Sequence, residues 1–272
     1  MPQRGVKHSS HLRPQARSMW WLTQTEYSPQ LDDYASRRHP GTLNWLLESA
    51  EYRTWTDSSP QTLFCFGEPG AGKSVAASFL AQDLRHRLGE DAKVAYVFFD
   101  SLRHEEQGYE NAALSILEQL APRLLPSERR PNGAPWWYES NNSTLRFKPH
   151  DVRVSRYLKE QMTGYANHST VFLILDALEE CPTISRTALL AVLAEMQREH
   201  VALNVLMAWR SGWAPAPAIL EQFENTETLE IHARKQDLEM YMADKLPSDF
   251  ESRSHIISTT VAAADGQYAL PI

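Results

Sequence analysis

The sequence predicts an α/β architecture in three layers, a mainly parallel sheet with helices on both faces. Three observations predict it. Residues 62–66 (Thr-Leu-Phe-Cys-Phe) read as a buried strand and run through a glycine-rich loop, residues 67–74, into residues 75–84, whose apolar side chains fall at helical spacing. Residues 171–175 form a continuous β-branched and apolar run, as a strand buried on both faces requires, and the run ends at Asp176. Around these two, further short apolar runs alternate with amphipathic stretches, the pattern of parallel strands joined by crossover helices.

Bulk properties narrow the functional classes. The chain of 272 residues is long enough for one large α/β domain with a sizeable core. Its net charge of −7 leaves no overall electrostatic footprint for nucleic acid, so direct nucleic-acid binding is not expected. No apolar run reaches membrane-spanning length, and no membrane association is expected. The two cysteines, Cys65 and Cys181, sit in or beside apolar runs and read as buried reduced thiols, which suits a cytoplasmic protein. Residues 1–25 carry Arg4, Lys7, Arg13 and Arg17 without an acid and read as a disordered basic tail.

Taken in order, residues 26–60 read as lead-in helices. Residues 31–40 are polar and charged. Residues 41–55 read as one amphipathic helix with Thr42 as its N-cap and Leu43, Leu46, Leu47 and Ala50 on one face. Residues 61–235 read as the core. After the first strand and its helix, residues 94–99 form a second strand, followed by a helix over 109–125. Residues 126–150, with Trp136 and Trp137, read as a long loop that either packs on the core or meets a partner. A helix over 152–165 leads to the strand ending at Asp176. Then come a helix over 184–199, a buried strand over 201–208 ending at Trp209-Arg210-Ser211, and a short strand over 227–231. Residues 236–272 read as C-terminal helices.

The loop Gly67-Glu68-Pro69-Gly70-Ala71-Gly72-Lys73-Ser74 has the form G-x-x-x-x-G-K-S, between a strand and a helix, the context a phosphate-binding P-loop requires. Without Cβ atoms at 67, 70 and 72 the backbone can curl and aim its N–H groups inward. The helix start adds free N–H groups and the positive end of a dipole. Lys73 can reach the β- and γ-phosphates, and the Ser74 hydroxyl can hold Mg²⁺. Asp176, at the carboxyl end of a buried strand, can complete the Mg²⁺ shell. Glu179 and Glu180 follow, and either could orient or activate a water. Arg210 at the end of the next strand could face a γ-phosphate. The expected cofactors are ATP or GTP with Mg²⁺, and the fold is that of a P-loop NTPase.

Together these stretches resemble NACHT-type P-loop NTPases of the STAND class, nearest to the fungal heterokaryon-incompatibility type and the nephrocystin-3-like N-terminal domain. The matching residues are His39-Pro40-Gly41-Thr42 with Trp45-Leu46-Leu47 and Trp55, the P-loop, Phe98-Phe99-Asp100, Asp176-Ala177-Leu178-Glu179-Glu180-Cys181, Arg210-Ser211, Asp237-Leu238 with Tyr241, and Asp265-Gly266-Gln267-Tyr268. The resemblance implies an ATP or GTP switch, closed with diphosphate and opened by triphosphate, that self-associates or engages protein partners in self/non-self recognition or cell-death signalling. Three departures accompany it. Glu179 stands where the family usually has Asp, and Ala208-Trp209 stand where small polar residues precede the arginine. A winged-helix domain usually begins where this sequence stops, so the chain reads as a bare core, a fragment or a short gene product.

Two functions follow from the residues. In the first, Lys73, the P-loop and Mg²⁺ support slow hydrolysis, with Glu180 placing water and Arg210 offsetting charge. In the second, nucleotide stabilises a non-hydrolysing scaffold or interaction module. A small-molecule kinase fits less well, because no acceptor site is evident.

Overall fold

The computed structural model describes residues 25–89, 93–103, 106–120, 152–212, 217–247 and 252–264. The basic tail (apart from Thr25), the loop over 126–150 with both its tryptophans, and the stretch 265–268 lie outside the described residues.

The elements run α1 (Ser28–Ser36), α2 (Asn44–Glu48), α3 (Ala50–Asp57), β1 (Gln61–Gly67), α4 (Lys73–Leu88), β2 (Lys93–Phe98), α5 (Tyr109–Leu120), α6 (Val152–Ala166), β3 (Val171–Asp176), α7 (Thr183–Arg198), β4 (Leu203–Arg210), α8 (Pro217–Leu220), β5 (Thr226–Glu230), α9 (Lys235–Lys245) and α10 (Arg253–Ala263). The five strands form one sheet in the order β2-β3-β4-β1-β5, and every neighbouring pair is parallel. The expected three-layer α/β fold is therefore present, with a sheet that is parallel throughout its described strands.

The apolar runs explain the layering. All six residues of β3 are buried, so both faces of the sheet must be covered. On the face that carries Phe172, the Trp55 ring of α3 meets Phe172 edge-on at 5.3 Å. On the same face Tyr34 of α1 meets Phe98 at 5.3 Å, since Phe98 pairs with Asp176 in register. Gln197 of α7 covers the opposite face, where it accepts a hydrogen bond from the Thr62 hydroxyl at 3.0 Å. Register also aligns the carboxyl ends. Gly67 pairs with Arg210, and Phe98 with Asp176, so the functional candidates of β1, β3 and β4 emerge along one edge.

The lead-in differs from its sequence reading. The stretch over 31–40 contains the second half of α1, anchored by the buried Leu31. The single helix expected over 41–55 is two helices. Ser49 adopts extended geometry (ψ 144°) between them, and its hydroxyl caps α3 by accepting the Tyr52 N–H at 3.3 Å. Thr42 is not an N-cap. Its hydroxyl donates to the His39 carbonyl at 2.7 Å, while Leu43, at φ +63°, starts α2. Local propensity favoured one helix; a serine that satisfies helix ends on both sides broke it in two. Arg210 is the last residue of β4, at the strand end where the sequence placed it. No helix among the described residues is long and apolar enough to cross a membrane.

Candidate functional site

At the end of β1 the chain must turn sharply. The Ile231 N–H donates to Phe66 O at 2.7 Å, which brings the end of β5 across Gly67. A Cβ at Gly67 would lie 2.2 Å from Ile231 O, so this position admits only glycine. Gly70 and Gly72 hold φ values of +82° and +87°, where side chains are disfavoured. Gly72 caps α4, whose first turn has no acid and whose last turn carries Arg85, His86 and Arg87. That polarity leaves the helix N-terminus electropositive toward the loop.

Lys73 folds back over the loop. Its Nζ donates to Gly67 O at 2.8 Å and Glu68 O at 2.9 Å. Partial burial lowers its pKa, against the opposing charges of Glu179 and Asp176. Beside it, Asp176 is 2% exposed. Burial pushes its carboxyl up to about 6; a Ser74 hydrogen bond acts in the other direction, Glu179 adds to the rise, and Lys73 opposes it. The buried Asp176 carboxyl and the Ser74 hydroxyl beside it form a hard-oxygen pair. It fits Mg²⁺, which takes few protein oxygens and otherwise keeps water and phosphate oxygens. Among the described residues no cluster of three or more His, Cys, Asp or Glu side chains could hold a metal alone.

After Asp176 the backbone turns through Ala177, at φ +53°, into a 3-10 turn over Leu178–Glu180. This turn separates the two glutamates. Glu179 lines the cavity beside Lys73 and Asp176, whereas Glu180 is not among the lining residues. Arg210 reaches both, with Nε 3.2 Å from Glu179 Oε1 and Nη2 3.0 Å from Glu180 Oε1. The other Glu179 oxygen is buried without a hydrogen-bond partner, and burial raises the pKa of this carboxyl. From α7, Arg186 donates to the carbonyls of Leu178 and Glu179 at 3.4 and 3.3 Å and lies 5.2 Å over the Trp209 ring. Trp209 thus supports the arginine that pins the acidic turn, a role invisible in its sequence position.

These groups surround a cavity of about 450 Å³. Pro69, Gly70, Gly72, Lys73 and Ser74 of the P-loop line it together with Asp176, Glu179 and Arg210. Glu68 enters through its carbonyl bond to Lys73, and the buried Ala71 packs beneath the loop. Sequence reasoning missed Tyr34, Arg37 and Arg38 of the lead-in, which form a further wall of the cavity together with His39 and with Tyr241 of α9, two residues that the family resemblance had matched without a role at the site. Arg38 holds that wall down. Its guanidinium lies 3.8 Å over the Phe79 ring of α4, and its Nε donates to Thr42 O at 2.8 Å. Helix α9 closes on the same segment. The Leu43 N–H donates to the buried Asp237 carboxylate at 3.0 Å, and the His39 ring meets Tyr241 edge-on at 5.7 Å. Asp237 and Tyr241 had stood out in sequence, but nothing local to either connects it to a residue some 200 positions earlier.

Comparison with known proteins adds the following. The nephrocystin 3, N-terminal family matches residues 41–210. No curated protein matches the chain. Among solved structures, Cdc6p from Pyrobaculum aerophilum shares the fold with a TM-score of 0.50 at 10% identity, over 79% of this chain and 52% of that one. The Aeropyrum pernix Orc1 protein, solved in complex with DNA, gives 0.48 at 15% identity over 91% and 59%. The Drosophila ORC bound to DNA gives 0.48 at 14% over 85% and 55%. The chain thus spans between half and three-fifths of the length of these structures.

Proposed function

The chain belongs to the nephrocystin 3, N-terminal family, and from that premise we propose that it binds a nucleoside triphosphate, ATP or GTP, with Mg²⁺ and acts as a slowly hydrolysing switch. The observation that carries this reading is the convergence of Lys73, Ser74, Asp176, Glu179 and Arg210 on one cavity at the carboxyl edge of the sheet. Each residue has a role its chemistry supports. The loop N–H groups and the start of α4 cradle phosphate oxygens, and Lys73 leaves its two carbonyl contacts to neutralise the terminal phosphates. Ser74 and Asp176 hold Mg²⁺, which supplies charge neutralisation across the phosphates when bound. Glu179, rather than Glu180, accepts the proton of the attacking water, because it is the glutamate that faces the cavity. Arg210 offsets charge on the terminal phosphoryl group. It must first release the two glutamates, which makes turnover slow.

In this reading residues 61–235 are the nucleotide-binding core, and α9 reports the state of the site through its clasp on the lead-in. A switch of the NACHT type within the STAND class, with self-association or protein partners in self/non-self or cell-death signalling, fits the motifs of the sequence. The buried free cysteines Cys65 and Cys181 suit a cytoplasmic location. The acidic net charge argues against nucleic acid as a direct partner of this chain.

One observation favours the non-hydrolysing alternative. Arg210 and Glu179, the residues hydrolysis needs, already neutralise each other. Calorimetric titration with ATP, GTP and ADP plus Mg²⁺, beside Lys73→Ala and a phosphate-release assay, tests both. Binding lost in Lys73→Ala with slow release supports the switch, binding without release supports the module, and no wild-type binding overturns both.

A further inference from the structure

Tyr34 lines the cavity, has no part in the proposed chemistry, and packs beside the strand end that carries Asp176. It belongs to α1, a helix fixed by the buried Leu31 and by packing against α4. Its ring rests edge-on against Phe98 at 5.3 Å. Phe98 is the register partner of Asp176, and the two residues project from the same face of adjacent parallel strands. Tyr34 therefore packs on the side chain that neighbours the carboxylate that would hold Mg²⁺, near enough for the Asp176 charge to act on its phenol, and it lines the same cavity as Ser74 and Asp176. Burial, and then the negative charges of Asp176 and Asp100, raise the pKa of the phenol, so it stays protonated and can donate. No hydrogen bond from its hydroxyl to protein is seen among the described residues. The Arg37 guanidinium lies 5.3 Å over the ring and is itself tethered to Asp33, which orients the side chain from the solvent side.

We propose that Tyr34 is a positioning residue for the terminal phosphate of a bound nucleoside triphosphate, with its hydroxyl donating a hydrogen bond to a γ-phosphoryl oxygen. The inference rests on the nucleotide-binding reading and adds that the lead-in helix, not only the core, senses the third phosphate. A neutral donor on that wall discriminates tri- from diphosphate without adding charge beside the acids.

The test is calorimetric titration of the full chain with ADP and a non-hydrolysable ATP analogue, and with the GDP and GTP counterparts, each with Mg²⁺. Wild type, Tyr34→Phe and Tyr34→Ala are compared, and melting temperatures are recorded for each. Tyr34→Phe keeps the ring against Phe98 and removes only the donor. Triphosphate affinity should drop about tenfold or more in Tyr34→Phe, as for a hydrogen bond to a charged group, with diphosphate affinity and melting temperature unchanged. Equal losses for both ligands would place the hydroxyl on another part of the nucleotide and overturn the proposal. Unchanged affinities in Tyr34→Phe, with loss only in Tyr34→Ala, would reduce Tyr34 to a packing residue and also overturn it. In both outcomes wild-type binding survives and the nucleotide reading stands; if the wild type binds neither ligand, the two fall together.

Discussion

Arg210 and Glu179 form an ion pair across the ends of β4 and the turn after β3, with Nε 3.2 Å from Oε1. The Glu179 side chain is 5% exposed, against 20% for Glu180, which shares the same guanidinium. The two neighbouring acids are therefore unequal, and their substitutions should behave differently. Glu179→Gln should lower turnover by about 10²–10⁴-fold while nucleotide binding persists, the loss expected when a proton acceptor is removed. Glu180→Gln removes a more exposed pair and should change turnover by less than about fivefold. Single-turnover phosphate release beside equilibrium binding measures both.

Lys73 ties the loop to itself through Gly67 O and Glu68 O, and in the proposed switch it turns to phosphate instead. Saturating nucleotide at a hundred times Kd should stabilise the wild type by about 2.7 kcal/mol. Lys73→Ala should show no shift in melting temperature with any nucleotide, as thermal denaturation with and without ligand will reveal.

Asp176 predicts a dependence on pH. An acid whose pKa is raised in the folded chain, here from 3.8 to about 6, binds its proton more tightly folded than unfolded. Stability of the nucleotide-free protein should therefore be higher below that window and decline as pH rises through it, the unfolded chain binding fewer protons there. Asp176→Asn should abolish this component of the slope. Mg²⁺-nucleotide affinity should run the other way and weaken as pH falls below about 6, because the cation needs the carboxylate. Denaturant titrations and calorimetry across pH 4 to 8 measure the two trends.

Much of this site could be read in the sequence because its parts are local. A strand, a glycine loop and a helix start occupy adjacent positions around Lys73, and an apolar run delivers Asp176 to a strand end. Glu179 and Glu180 could not be separated, because the positive φ of Ala177 and the tight turn after it decide which one faces inward. The wall residues Tyr34, Arg37 and Arg38 were equally silent. Those residues look like a polar surface helix until Arg38 stacks on Phe79 and Leu43 bonds to Asp237, contacts between segments far apart in the chain. The break at Ser49 was hidden for a local reason, because both helical and capped conformations satisfy the sequence there.

Asn204 supplies a stability prediction away from the site. Wholly buried in β4, it donates to the carbonyls of Trp55 and Ser58 and accepts the Gln61 N–H at 3.1 Å. Asn204→Ala leaves these backbone groups without partners and should cost about 3 kcal/mol in urea denaturation, with nucleotide affinity retained.

Gly67 carries a consequence for how such loops are interpreted. Its lack of a side chain is demanded by the carbonyl of Ile231, the residue that follows β5, quite apart from any ligand. A descendant of this chain that had abandoned nucleotides altogether would still be obliged to keep the first letter of the motif, or lose the fold. That letter is a witness to architecture, and only the positions that touch phosphate, Lys73 foremost, can testify to use.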